Sequence, residues 1–191
     1  KHICINLFIM LCISKYSYAI EEHLAVRYIE GVGQQAIDIL KTPIKNLQTR
    51  ELLFARMLNN NFDKKLIHRA VLGKASKGAS PEQLVRFGKA FDKHIVKVYA
   101  SQLGVYSNQL FIIDKAFNKG KKDTIVSSHI EHETAPPLRI DWRLRDRGNG
   151  IKIIDIAIEG VSLLATKRAD FGASIKKGGL HSLIIDLETK N

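Results

Sequence analysis

The sequence predicts an α+β fold: a curved antiparallel sheet of about four strands, wrapped by helices and enclosing an apolar cavity. Three observations carry that expectation. From Glu21 to about Leu103 the apolar residues recur at helical spacing, after Tyr106 their period changes to two, and from Val161 the helical spacing returns. Helices, then an antiparallel meander, then helices, without alternation of strand and helix, is an α+β plan. A sheet covered by helices on one face leaves a deep gap between the two layers.

The elements follow in chain order. Lys1 and His2 precede an apolar run from Ile3 to Ile13 broken only by Asn6, and Ser17-Tyr18-Ala19 follows. Small residues at the first and third positions before the cut predict a cleavable signal peptide over residues 1–19. The run is too short for a spanning helix, which needs ~20 residues, and Leu11 before Cys12 does not fit a lipoprotein signal. A single domain over residues 20–191 remains, 172 residues (191 − 19), enough for a core of its own. Cys4 and Cys12 both lie in the leader, so the mature chain can form neither a disulfide nor a thiolate metal site.

Glu21 to Lys41 reads as an amphipathic helix with Ile29, Val32, Ala36, Ile39 and Leu40 inward, stopped by Pro43. Leu47 to Leu58 and Asp63 to Leu72 are helical, with Asp63 as cap and Gly73 as stop. Lys74 to Ala79 reads as a loop. Ser80-Pro81-Glu82-Gln83 is a helix start, Ser80 capping and Gln83 reaching back. The helix from Pro81 to about Leu103 carries an apolar stripe (Leu84, Phe87, Phe91, Ile95, Val98) and a basic one (Arg86, Lys89, Lys93, Lys97).

Strands are expected at Gln109–Phe117, Thr124–Glu133, Pro137–Arg147 and Ile151–Glu159. In the third, Leu138, Ile140, Trp142 and Leu144 alternate with Arg139, Asp141, Arg143 and Arg145, the mark of a sheet with one buried and one wet face. Asp146-Arg147-Gly148-Asn149-Gly150 supplies a hairpin turn. The return strand, with Ile151, Ile153, Ile154, Ile156 and Ile158, is apolar on both sides. Helices return from Val161 to Lys177 and from Leu180 to Leu187, separated by Gly178-Gly179.

Charge narrows the partners. Without the leader the chain holds 28 basic and 19 acidic residues, a net +9, and is drawn to anionic surfaces. A leader argues against nucleic acid, and no zinc-finger, RNP or homeodomain signature is present. Membranes and acidic proteins remain, with the stripe Arg86, Lys89, Lys93 and Lys97 as the docking candidate.

Three motifs suggest chemistry at first sight. Gly31-x-Gly33-x-x-Ala36 imitates a dinucleotide fingerprint but lacks the preceding strand and βαβ setting, so close helix packing is the better reading. His129-Ile130-Glu131-His132-Glu133 places its histidines at opposite parity on a strand, which is no metal site. Asp155, in an otherwise apolar strand, is a candidate acid/base residue for an isomerase-like pocket enzyme; the rival reading pairs it with Arg143 or Arg145. No Ser/His/Asp or Cys/His set can be assembled, and no cofactor is expected.

The run Arg143-Leu144-Arg145-Asp146, then Lys152 to Asp155, Glu159-Gly160-Val161-Ser162-Leu163 and Arg168…Phe171, resembles the toluene-tolerance/MlaC family. A second block agrees: Val71-Leu72-Gly73, Ala79-Ser80-Pro81-Glu82-Gln83, Phe87, Phe91 and Tyr99-Ala100. The chain departs from the family pattern at Ala75-Ser76 and at Ile151, where a Trp is usual. The resemblance implies a periplasmic, non-enzymatic phospholipid-binding protein of the pathway that maintains outer-membrane lipid asymmetry. It implies a glycerophospholipid as cargo, and as partners an inner-membrane ABC transporter complex with an MCE-type subunit and an outer-membrane lipoprotein complex. Nothing suggests an obligate oligomer, so a monomer is expected. The lining expected from the apolar stripes together with that resemblance is Phe87, Phe91, Tyr99, Tyr106, Trp142, Leu144, Ile154, Ile156, Val161, Leu164 and Phe171.

Overall fold

A computed structural model of the protein describes residues 19–102, 109–131 and 136–190. Apolar residues at three- and four-residue spacing wind the first third into helices that bury one face each. Helix α1 (Glu22–Lys41) buries Ala25, Ile29, Val32, Gly33 and Ile39, and ends where the Thr42 N–H bonds to the Ile39 carbonyl just before Pro43. A 3₁₀ turn (Ile44–Asn46) leads into α2 (Leu47–Asn61). Helix α3 (Lys64–Leu72) is capped by Asp63, whose Oδ1 accepts from the Leu66 N–H at 3.0 Å. Residues 75–78, expected as loop, close one helical turn, α4 (Ala75–Gly78).

Helix α5 (Pro81–Gln102) starts with the reciprocal cap its sequence calls for. Gln83 N–H donates to Ser80 Oγ at 3.1 Å, and Ser80 N–H to Gln83 Oε1 at 3.0 Å.

The chain then runs as a meander: β1 (Leu110–Lys119), β2 (Asp123–Glu131), β3 (Leu138–Asp146), β4 (Ile151–Ile158) and β5 (Val161–Ser162). Their spatial order is β1-β2-β3-β4-β5, each pair antiparallel. The fold is therefore α+β with a five-stranded open sheet, one short strand more than the sequence suggests. Glu159 (φ 49°) and Gly160 (φ 79°) both take left-handed backbone, which closes a two-residue hairpin. Val161 and Ser162 consequently pair with Ile158 and Ala157 before the next helix begins. The helical start expected at Val161 moves to Leu163 for that reason. Helix α6 (Leu163–Lys190) is interrupted at Gly179 (φ 79°, ψ 169°), the break that Gly178-Gly179 foretells.

Two bulges curve the sheet. One falls between Ile113 and Lys115 on β1; the other leaves Ile154 as an extra residue on β4, where Arg143 pairs with Asp155 and Leu144 with Ile153. Both Ile153 and Ile154 are thereby buried, and the Ile153 carbonyl accepts from the Asp63 N–H at 3.0 Å, tying sheet to helices.

The opposite face of the sheet is polar. Buried Asp123 accepts from both Arg143 and Arg145, and Arg139 pairs with Asp141 at 2.9 Å. Burial pushes the Asp123 carboxyl up, but hydrogen bonds from Arg145 and Arg143 and their charges outweigh it and hold the group below the usual carboxylate range.

The buried apolar residues do not merge into the single core usual for a domain of this size. One cluster joins α1 to the sheet (Ile29, Val32, Val126, Trp142, Leu144, Ile153). A second joins α3, α5 and α6 (Val71, Phe87, Phe91, Phe171, Ile184, Leu187). A third joins the ends of α1, α2 and α5 (Ile39, Phe54, Met57, Ala100).

Candidate functional site

A cavity of about 300 Å³ lies where those three clusters meet, at the small end of ordinary ligand sites. From the sheet come Phe111, Ile130, Ile140, Trp142, Ile154, Ile156 and Ile158. Helices α1 and α2 add Gly33, Ala36, Ile37, Ile39, Leu40, Phe54, Met57 and Leu58. Helices α3, α5 and α6 add Ile67, Val71, Phe91, Ile95, Tyr99, Leu163 and Leu164. The wall is almost wholly apolar and rich in branched aliphatics.

Register explains which sheet residues face it. Ile140 opposes Ile158 and Trp142 opposes Ile156, so these four share one face. Trp142 is fixed there because its Nε1–H donates to Ser128 Oγ at 2.9 Å and its ring meets Phe111 edge-on at 6.3 Å. Phe111 in turn lies against the backbone of α1: a Cβ on Gly33 would sit 2.4 Å from its ring, whereas one on Gly31 would meet open space. Of the two glycines in the nucleotide-like motif, then, Gly33 permits close packing. Both lie within α1, and no strand precedes them among the described residues.

Six of the residues expected as lining border the cavity: Phe91, Tyr99, Trp142, Ile154, Ile156 and Leu164. Phe87, Leu144 and Phe171 instead fill the packed clusters, and Val161, on β5, is 59% exposed. Tyr106 lies outside the described residues. The expected lining includes no residue of α1 to α3, although the inward apolar face of α1, with Ala36, Ile39 and Leu40, was a signal for it.

A polar group also interrupts the wall. Asp92 on α5 accepts from Lys64 Nζ at 2.9 Å, and its other oxygen lies 2.7 Å from His68 Nε2. Burial raises the Asp92 carboxyl, but the hydrogen bonds from His68 and Lys64 and their charges outweigh it and hold the group below the usual carboxylate range. The absence of a side chain at Gly88 makes room for His68, since a Cβ there would lie 2.8 Å from Nδ1.

Asp155 is placed differently from the acid/base expectation. It pairs in register with Arg143 just past the bulge and borders the cavity beside Ile154 and Ile156, but both of its oxygens are engaged. Its Oδ2 accepts from Ser162 Oγ at 2.6 Å and its Oδ1 from the Leu164 N–H at 3.1 Å, so it caps the start of α6. It does not take up the arginine pairing either, because Arg143 and Arg145 both turn to Asp123. His129 bonds Asp114 at 2.8 Å, His132 lies outside the described residues, and no group of three metal-ligating side chains occurs among the described residues.

Within the basic stripe, Arg86 is held bidentately by Glu188 and Lys97 donates to the Lys190 carbonyl at 3.0 Å. Lys89 and Lys93 are exposed. Charge is divided by region. Residues 64–102 and 163–190, the span of α3 to α6, hold fourteen basic and five acidic residues, while residues 20–63 and 103–162 hold fourteen of each. Over residues 20–190 the net +9 thus belongs to the helices of one layer.

A curved sheet and a helical layer held apart around an apolar hollow define a container for a hydrophobic ligand. The family described as MlaC protein matches residues 30–189, and the chain belongs to that family. It is similar to "Toluene tolerance protein ttg2D" of Pseudomonas putida, 24% identical over 106 residues, which is 56% of this chain and 49% of that protein. It is also similar to the "Intermembrane phospholipid transport system binding protein MlaC" of Haemophilus influenzae, 29% identical over 122 residues, 62% of this chain and 57% of the relative. The chain thus spans about half the length of these curated relatives. In fold it matches a phospholipid-binding protein from Ralstonia solanacearum, solved in complex with a phospholipid, with a TM-score of 0.77 and 24% identity, covering 85% of this chain and 94% of that one. No helix among the described residues is long and apolar enough to cross a membrane.

Proposed function

We propose that the protein is a periplasmic carrier that holds one glycerophospholipid with its acyl chains in the cavity and moves it between the inner and outer membranes. The observation that carries this reading is the apolar hollow left where the three clusters meet. Membership of the MlaC family and the phospholipid named for its relatives support it.

The physics gives the carrier its form. Each methylene withdrawn from water contributes about 0.8 kcal/mol, so a lipid with roughly thirty of them faces more than ~20 kcal/mol on entering water alone. A protein that encloses the tails removes most of that barrier. Because a bilayer is as apolar as the cavity, transfer between the two is close to balanced, and direction is set by what the carrier docks on. Residues 1–19 serve as the export signal in this reading. Lys89 and Lys93, with Arg86 and Lys97 beside them, form the docking stripe for an inner-membrane ABC transporter complex with an MCE-type subunit and for an outer-membrane lipoprotein complex. The chemistry is non-enzymatic, and the lipid is cargo rather than cofactor.

Organic extraction of the purified protein followed by mass spectrometry tests the reading. A stoichiometric glycerophospholipid is expected; protein that carries none and takes none up from vesicles would overturn it.

A further inference from the structure

One cation on the cavity wall is poorly matched by its protein surroundings. Lys167 stands on the inward stripe of α6, three residues after Leu164 and four before Phe171, where the helical period calls for an apolar side chain. Its side chain is only 21% exposed, and its ion-pair partner, Asp170, lies 3.9 Å away and is 56% exposed. That separation is beyond hydrogen-bond reach. A lysine whose stem is mostly covered by protein gains from an anion that meets its ammonium closely. Lys64, the other lysine of the wall, contrasts with it, since Asp92 holds it at 2.9 Å. Nearby His94 adds no compensating negative charge. Burial first, and then the charges of Lys167 and Lys190, hold it below the usual histidine range and favour the neutral ring.

We infer that Lys167 receives the phosphate of a glycerophospholipid, its four-carbon stem lying along Leu163 and Leu164 while its ammonium stays at the wet end of the cavity. The inference rests on the carrier reading above and adds the group that tells a phosphate-bearing lipid from a neutral one of the same tails. Lysine suits the task because it offers a point charge and three rotatable donors, and can follow a headgroup that is not rigidly held.

The test uses the delipidated protein, titrated with fluorescent phosphatidylglycerol, with a fluorescent diacylglycerol of the same chains and with inorganic phosphate. Lys167→Met keeps the stem and removes the charge. It is expected to weaken phosphatidylglycerol binding about tenfold or more while leaving diacylglycerol binding unchanged, with Lys167→Arg restoring most of the loss. Lys167→Gln gives the same comparison should the Met variant unfold. Equal loss of both lipids in a variant whose thermal unfolding is unchanged, or no loss of either, overturns the inference. Loss of inorganic-phosphate binding alone assigns the lysine to a free anion and overturns the headgroup role. Wild-type protein that takes up neither lipid removes the carrier reading itself, and this inference with it.

Discussion

Two apolar regions of this molecule are built from the same residue types, yet one is filled and the other is hollow. In the filled one, between α3, α5 and α6, Phe87 stacks on Phe91 at 5.6 Å and both meet Phe171 edge-on, at 6.1 and 5.9 Å. In the hollow one, Trp142, Ile156 and Tyr99 face a void. Phe91 belongs to both, since one turn along the same helix separates a sealed ring from a wall. The difference lies in what stands opposite. Bulges curve the sheet and the three clusters each close on themselves, so the wall residues cannot collapse inward without unpacking a cluster.

Substitutions that treat the two regions alike should give unlike results. Phe87, fully buried, should lose about 3–5 kcal/mol on replacement by Ala, whereas Ile156→Ala at the cavity wall should lose about 1 kcal/mol. Urea unfolding of delipidated protein measures both, and equal losses would erase the distinction between core and wall.

Asp123→Asn tests the frame that curves around the hollow. It removes the charge shared by Arg143 and Arg145 and should destabilise by about 2 kcal/mol at neutral pH. Asp123, Asp92 and Asp141 are all held below the ordinary carboxylate range, for Asp141 because hydrogen bonds from Ser127 and Arg139 and the charges of Arg139 and Lys115 outweigh burial. A depressed folded-state pKa contributes stability that is complete above the unfolded value of ~3.9 and is lost as pH falls below it. Wild-type stability should therefore drop below about pH 4, and the Asn variant should drop less steeply. A pH profile of thermal unfolding that is identical for both would contradict this account.

Ala36→Trp places a ring in the void. Since it fills space rather than crowding a packed site, unfolding should shift by less than about 1 kcal/mol while co-purifying lipid is lost. Retained lipid would mean that the tails lie elsewhere. The smallest expected stability change belongs to the double reversal Lys89→Glu with Lys93→Glu, within about 0.5 kcal/mol because both are exposed. Transfer of lipid to acceptor membranes carrying the docking complexes should slow markedly with bound lipid unchanged, and an unaltered rate would discard the docking stripe.

Much of the fold was legible because its signals are local. The alternation from Leu138 to Leu144, the Ser80–Gln83 cap and the Gly178-Gly179 break each occupy a few consecutive residues. The hollow was legible only as a surplus of apolar surface. Periodicity shows that Phe87 and Phe91 face inward but not whether a neighbour or a void awaits them. Val161 was misplaced because a two-residue strand carries no period at all. The Lys64–His68–Asp92 group draws its members from two helices, so no contiguous motif announces it. Lys167 did leave a local trace, a charge at the stripe position between Leu164 and Phe171.

The division of charge has a consequence for how the protein meets its targets. With the excess cations of residues 20–190 confined to α3–α6 and the remainder balanced, the charge is lopsided, its positive side carried by those helices. Near a negatively charged surface it experiences a torque as well as an attraction, and turns the same flank forward before touching. That flank is made of helices whose other sides line the hollow. Added salt shortens the reach of this alignment to a few ångströms, so arrival rates should fall with ionic strength even where the final grip is unchanged.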